Sequence, residues 1–184
     1  SRSIATIRMR LKELLQGIDV QSVAGDLAVE VSGVQYDSRV VEVGSVFVAI
    51  NGGRNDGNTF IPQALNRGAV AIVSENRPSE SPAWIQVASA RQALPSFAAG
   101  FYSRPTTRLK LVGITGTNGK TTTSYLVESI LRSMSVPVAM LGTIDYRIPG
   151  YRLKAERTTP ESPDLEQFFN KAVKAGCRHA SEPA

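Results

Sequence analysis

Residues 113–122 read Gly-Ile-Thr-Gly-Thr-Asn-Gly-Lys-Thr-Thr, and their setting decides the fold. An apolar run, Leu109 to Ile114, leads into the glycines, and a helix-like stretch, Thr122 to Met134, follows the lysine. Strand, glycine loop and helix in that order are what a nucleotide-phosphate site needs. Gly116 and Gly119 allow tight turns, so backbone N–H groups can face an anion. The helix N-terminus adds about half a positive charge in the same direction. Lys120 can reach the β- and γ-phosphates, and the Thr121 hydroxyl is placed to ligate Mg2+. The spacing departs from the usual G-x-x-x-x-G-K-[ST], because Ile114 stands where the first glycine would. A tight turn with an incidental lysine is the plainer alternative. Gly-Lys-Thr-Thr directly between a strand and a helix favours binding of ATP or GTP.

Downstream of the loop, a second strand is expected over Val138 to Ile144. A last helix starts near Ser162 and Pro163 and closes at Gly176, with Asp164 and Glu166 favouring its N-terminal end. Strands alternating with helices imply a mainly parallel sheet. Only two strands and two helices are legible after residue 108, fewer than a nucleotide-binding α/β domain normally carries. No acidic residue of the kind that holds Mg2+ beside such a loop is evident. The expectation is therefore the front portion of a larger enzyme, ending inside its nucleotide domain.

Upstream, the polar stretch Ser103-Arg104-Pro105-Thr106-Thr107-Arg108 marks a boundary, giving domains over 1–105 and 106–184. Within the first, residues 4–16 suggest an amphipathic helix through Ile4, Ile7, Leu11, Leu14 and Leu15, ended by Gly17. Strands are expected over Val29–Val34, Val46–Ile50, Ala69–Val73 and Trp84–Val87. One helix is expected after Thr59, and another over Ser89–Tyr102 despite Pro95. The fold class is α/β: a small N-terminal α/β domain, then the start of a P-loop nucleotide-binding domain.

Composition narrows the function classes. The 184 residues are 42% hydrophobic, ample for a packed core. No apolar run approaches the ~18 residues of a membrane span, and residues 1–16 lack a signal-peptide core. The single cysteine, Cys177, excludes an internal disulfide and fits a reducing cytoplasm; packing is its expected role. One histidine, His179, and one cysteine cannot build a His/Cys zinc site, and His179 reads as a surface or terminal residue rather than a ligand. The net charge is +5 and the pI 9.6. The basic residues are scattered, without an aromatic ladder, which favours a polyanionic small molecule over nucleic acid.

A second constellation begins with Asp37-Ser38-Arg39 after a strand and continues through Gly44, Phe47-Val48-Ala49, the loop with Asp56-Gly57 and Phe60-Ile61, and then Ala64 and Gly68-Ala69. Hydroxyl and backbone groups at strand ends can meet a heterocycle edge, and Arg39 or Arg54 a diphosphate. A cap and a salt bridge holding a turn explain the same residues.

Asp-Ser-Arg with the following Gly-x-x-Phe-Val-Ala and Asp-Gly-x-x-Phe-Ile closely resembles the N-terminal domain of the Mur ligases. Gly116-Thr117-Asn118-Gly119-Lys120-Thr121-Thr122 resembles their ATP loop, including its short glycine spacing. Arg157-Thr158-Thr159-Pro160-Glu161-Ser162 looks like the substrate segment of the branch that adds the third peptide residue to UDP-N-acetylmuramoyl-L-alanyl-D-glutamate. The resemblance covers residues 25–178. It implies that Tyr36 and Ser38 hold the uridine portion, that Gly53, Arg54 and Asn55 close on it, and that residues 116–122 bind ATP. It also implies that Arg157, Thr158 and Thr159 contact the muramoyl-dipeptide; Arg157 stands where many relatives have asparagine. ATP and Mg2+ are the implied cofactors, the UDP-muramoyl-dipeptide and a diamino acid the implied substrates.

The implied chemistry is ATP-driven amide formation through an acyl phosphate, with Lys120 offsetting charge on the transferred phosphoryl group. The family's later segments, including a carbamylated lysine and an amino-acid-selecting domain, have no counterpart here, so these residues alone are expected to be inactive. The family ligase that adds the terminal dipeptide, and a non-catalytic UDP-sugar- or nucleotide-binding module, are the competing readings.

Overall fold

The computed structural model describes residues 7–52, 56–76, 82–142, 145–154 and 160–183. The chain divides into two compact units, Ser1–Phe101 and Tyr102–Ala184.

In the first unit the elements run β1 (Met9–Arg10), α1 (Leu11–Leu14), β2 (Ser22–Gly25), β3 (Glu30–Val31), β4 (Gly33–Gln35) and β5 (Ser45–Val48). They continue with α2 (Ile61–Asn66), β6 (Ala71–Ser74), β7 (Ala83–Gln86) and α3 (Ala90–Phe101). The main sheet has the order β2-β7-β6-β5-β4. β4 to β7 pair in parallel, and β2 runs antiparallel on β7. β5 and β6 are buried along their whole length, which is why they read as unbroken apolar runs rather than alternating ones. Phe47, Ile72 and Trp84 pack with Val41, Ala64 and Ala69 into the core.

The helix expected over 4–16 shrinks to Leu11–Leu14, since Met9–Arg10 pair antiparallel with Glu30–Val31. The Leu11 and Lys12 N–H groups donate to the Val29 and Leu27 carbonyls, so they are taken before a longer helix can use them. Ile4 lies outside the described residues. The strand expected over Val29–Val34 breaks at Ser32, whose N–H donates to the Gly44 carbonyl and whose hydroxyl donates to that of Val43. The helix expected over Ser89–Tyr102 forms as α3 and runs through Pro95.

The second unit contains β8 (Lys110–Ile114), α4 (Lys120–Ser133), β9 (Val138–Leu141), β10 (Asp145–Ile148), β11 (Tyr151–Lys154), α5 (Ser162–Lys174) and β12 (His179–Pro183). Its sheet has the order β11-β10-β9-β12-β8. β12 lies between β8 and β9, parallel to both, while β10 and β11 add an antiparallel hairpin. Five strands thus replace the two that the sequence suggested. Phe168, Phe169 and Ala172 of α5 pack with Leu109, Ala139, Leu141, Cys177 and Ala180. Burial pushes the Cys177 thiol up to about 11, so it stays protonated and serves the packing. His179 is not a terminal surface residue: it begins the interior strand β12, half-buried, in register with Lys110 and Val138.

Candidate functional site

Four parallel strands bring their carboxyl ends to one edge of the first unit, the edge where ligands of open α/β sheets bind. Tyr36 follows β4 directly. Ser38 opens a 3-10 turn and is buried, and its hydroxyl donates to Gln63 Oε1 of α2 at 2.6 Å. Asp37 caps that turn through the Arg39 N–H and takes the Arg39 guanidinium through both oxygens, at 2.9 and 2.7 Å. Arg39 thus serves the cap-and-salt-bridge role.

Past β5, Asn51 bridges to Asp56, and Asp56 caps the 3-10 turn Gly57–Phe60 through the Asn58 N–H. Gly57 is obligatory for packing: an added Cβ would sit 2.4 Å from the Ile50 carbonyl oxygen. Gly53, Arg54 and Asn55 lie outside the described residues, as do Arg157, Thr158 and Thr159. Sequence reasoning missed Gln63, Asn51, Asn58, Ser74 and Glu75, all of which hydrogen-bond at this edge. The available signal was an acid placed immediately after β6.

The second unit carries the phosphate loop, residues 115–119, between β8 and α4. Gly119 caps α4 in the left-handed region, φ 79°, and Gly116 has φ 150°; both are conformations side chains disfavour. The first-turn N–H groups of α4 have no intrahelical acceptor and face outward from the helix start. Lys120 folds back so that its Nζ donates to the Gly116 carbonyl at 2.6 Å, which lays the ammonium across the loop. Thr117, Asn118, Thr121 and Thr122 are exposed around it. Loop backbone, a lysine and exposed hydroxyls, the donor types that phosphate oxygens accept from, lie together on this stretch. β12 brings the backbone of Glu182 into register with Gly113.

Behind the loop, a charged network joins α4 to the β10–β11 hairpin. Arg147 meets Asp145 Oδ2 through Nε at 2.8 Å, Glu128 Oε2 through Nη1 at 3.5 Å and the Tyr125 hydroxyl through Nη2 at 2.7 Å. Its guanidinium also stacks over the Tyr125 ring, 4.7 Å from the centroid. Arg152 pairs with Asp145, and Arg132 with Glu128 at 3.2 Å. Asp145 and Glu128 are only 4% and 5% exposed. Burial alone would raise the Asp145 carboxyl, but hydrogen bonds from Arg147 and Arg152 outweigh it and hold it below the ordinary aspartate value.

Residues 30–102 match the Mur ligase family, catalytic domain, and residues 114–181 match the Mur ligase middle domain. The chain belongs to the Mur ligase family. Tyr36 and Ser38 fall in the first of these Mur ligase matches, and the phosphate loop from Gly116 to Thr122 in the second. The chain is 48% identical over 177 residues to the UDP-N-acetylmuramoyl-L-alanyl-D-glutamate--2,6-diaminopimelate ligase of Solibacter usitatus, a match spanning 94% of this chain and 36% of that protein. To the same-named ligase of Geobacter metallireducens it is 44% identical over 172 residues, 92% of this chain and 34% of that protein. The chain thus spans about a third of the length of the curated relatives it matches. A solved 2,6-diaminopimelate ligase of this name superimposes with a TM-score of 0.76 at 25% identity, over 96% of this chain and 36% of that one. The MurF ligase from Thermotoga maritima, solved in complex with ADP, superimposes with a TM-score of 0.53 at 25% identity, over 82% of this chain and 31% of that one.

Proposed function

We propose that the protein carrying these residues joins 2,6-diaminopimelate to the side-chain carboxylate of D-glutamate in UDP-N-acetylmuramoyl-L-alanyl-D-glutamate. ATP is cleaved to ADP and phosphate, and the product is a peptidoglycan precursor. The near-complete match of the chain to ligases of that name carries the reading. The two site geometries support it: a polar strand-end edge in one unit and a phosphate loop in the other.

A carboxylate acylates poorly because its leaving group is oxide-like, and phosphorylation corrects this. The D-glutamate side-chain oxygen attacks the γ-phosphorus, ADP leaves, and an acyl phosphate forms. An amino group of diaminopimelate then attacks the acyl carbon, phosphate leaves with the original carboxylate oxygen, and the attacking nitrogen gives up a proton. The loop amides from Gly116 to Gly119 hold the phosphates, and Lys120 exchanges its Gly116 carbonyl partner for the ligand's oxygens. Tyr36 and Ser38, with Gly53, Arg54 and Asn55, take the uridine end of the substrate. Arg157, Thr158 and Thr159 take the muramoyl-dipeptide, and residues 1–105 and 106–184 divide the two tasks as domains.

Mg2+ fits the hard oxygen donor present, the exposed Thr121 hydroxyl on the first turn of α4. When bound, it neutralises charge on the transferring phosphoryl group.

The test is isotope transfer in the full-length protein. With ¹⁸O in the D-glutamate side-chain carboxylate, the label is expected in inorganic phosphate. Amide formation with unlabelled phosphate would refute the acyl phosphate.

A further inference from the structure

Ser38 and Gln63 come from different elements and meet at the strand-end edge of the first unit. The 3-10 turn Ser38–Val40 follows β4, and Gln63 lies on the first turn of α2, which follows β5. β4 and β5 are parallel neighbours, so both segments leave the sheet at the same edge. The seam between turn and helix is closed without these two side chains. Val41 and Ala64 are buried in one core cluster, and Arg67 Nε donates to the Val41 carbonyl at 2.9 Å. Beside that packing, one bond between a buried serine and an exposed glutamine adds little to the fold.

What the bond fixes is polarity. A serine hydroxyl has one proton to give, and otherwise accepts. The Ser38 proton goes to Gln63 Oε1 at 2.6 Å, which leaves Ser38 Oγ to meet a ligand as an acceptor. The other end of the Gln63 carboxamide, Nε2, can only donate, and it has no hydrogen-bond partner among the described residues. Together the two side chains present an acceptor beside a donor. A diphosphate only accepts, so it does not suit Ser38. Uracil does: its N3–H donates, and a carbonyl oxygen next to it accepts. Cytosine carries the reverse order, an unprotonated N3 beside an amino group.

We propose that Gln63 is a specificity-determining residue of the UDP-substrate site. It commits the Ser38 proton so that Ser38 Oγ accepts from uracil N3–H, and its own Nε2 donates to the adjacent uracil carbonyl. The inference rests on the reading above that Ser38 takes the uridine end of the substrate.

The experiment uses the full-length enzyme with UDP-N-acetylmuramoyl-L-alanyl-D-glutamate, its cytidine counterpart and its 2′-deoxyuridine counterpart. The wild type is expected to favour the uridine over the cytidine substrate about a hundredfold in kcat/KM, the scale of two mispaired hydrogen bonds. Gln63→Leu removes the donor and frees the Ser38 hydroxyl to turn its proton toward cytosine N3. It is expected to raise KM for the uridine substrate about tenfold, to leave kcat and the KM for ATP within about twofold, and to cut the base preference to about tenfold. Ser38→Ala probes the same pair from the other side and is expected to narrow the preference as well. A glutamine with a merely structural role would change the melting temperature and leave the preference alone.

An unchanged base preference in Gln63→Leu would overturn the proposal, as would a wild type that accepts both bases equally. So would a variant that loses discrimination only between the uridine and 2′-deoxyuridine substrates, which would assign Ser38 to the ribose. These outcomes leave the functional reading standing. A wild-type enzyme that turns over none of the three substrates would refute that reading and the base contact with it.

Discussion

Arg147 joins two carboxylates, Asp145 and Glu128, that are otherwise buried with too little water to solvate them. Among the described residues, removing it leaves Glu128 paired with Arg132 and Asp145 with Arg152. Breaking a buried pair from one side is costly, so Arg147→Met should destabilise the second unit by about 3 kcal/mol in urea unfolding. The pH dependence carries a second sign. The Asp145 carboxyl is depressed below its ordinary value of 3.8, so its contribution is complete above that value and is lost as pH falls through the folded-state value. Stability measured from pH 7 down to 3 should fall less steeply in Arg147→Met than in the parent. Gly57 makes a different claim at the same scale. A methyl group there meets backbone, not a side chain that can move aside, so Gly57→Ala should cost about 2 kcal/mol or more in thermal unfolding of the first unit.

At the scale of elements, strand, glycine loop and helix from Leu109 to Met134 were legible because the signals are local. An apolar run, two turn glycines and a helical stretch suffice to write β8 and α4. The same holds for β5 and β6, whose apolar runs need no partner to be recognised. The β10–β11 hairpin was not legible, since Arg147 and Arg152 interrupt its apolar pattern and find their partners in Asp145 and on α4. β12 was missed for a related reason. His-Ala-Ser-Glu-Pro has little intrinsic strand preference and ends in proline, yet pairing on both sides with β8 and β9 makes it an interior strand. In the site, Ser38 and the phosphate loop could be read from motifs, whereas Glu75 and Asn58 matter only through contacts that folding creates. The loop's chemistry is directly testable. Lys120→Met removes the ammonium that spans the loop and should weaken ATP binding at least tenfold by calorimetry, with the melting temperature little changed, because that ammonium is not part of the core.

At the scale of the whole molecule, the chain supplies two separate pieces of a ligase. The first unit offers a polar strand-end edge, the second a phosphate loop on a mixed sheet. α4 leaves Leu126, Ile130 and Met134 exposed, at 58%, 60% and 66%, an apolar stripe that the described residues do not cover. The 184 residues correspond to about a third of the relatives' length. Incubated alone with ATP, the UDP-substrate and diaminopimelate, the 184-residue chain is expected to give no amide product by mass spectrometry. The full-length protein should.

The most direct measurement follows from that contrast. Full-length protein is incubated with ATP and UDP-N-acetylmuramoyl-L-alanyl-D-glutamate, and separately offered 2,6-diaminopimelate, lysine and D-alanyl-D-alanine. Product is identified by mass and ADP release is followed in parallel. The account predicts condensation with 2,6-diaminopimelate, stoichiometric with ADP. ADP-coupled product with D-alanyl-D-alanine alone, or nucleotide and UDP-substrate binding without any amide product, would contradict it.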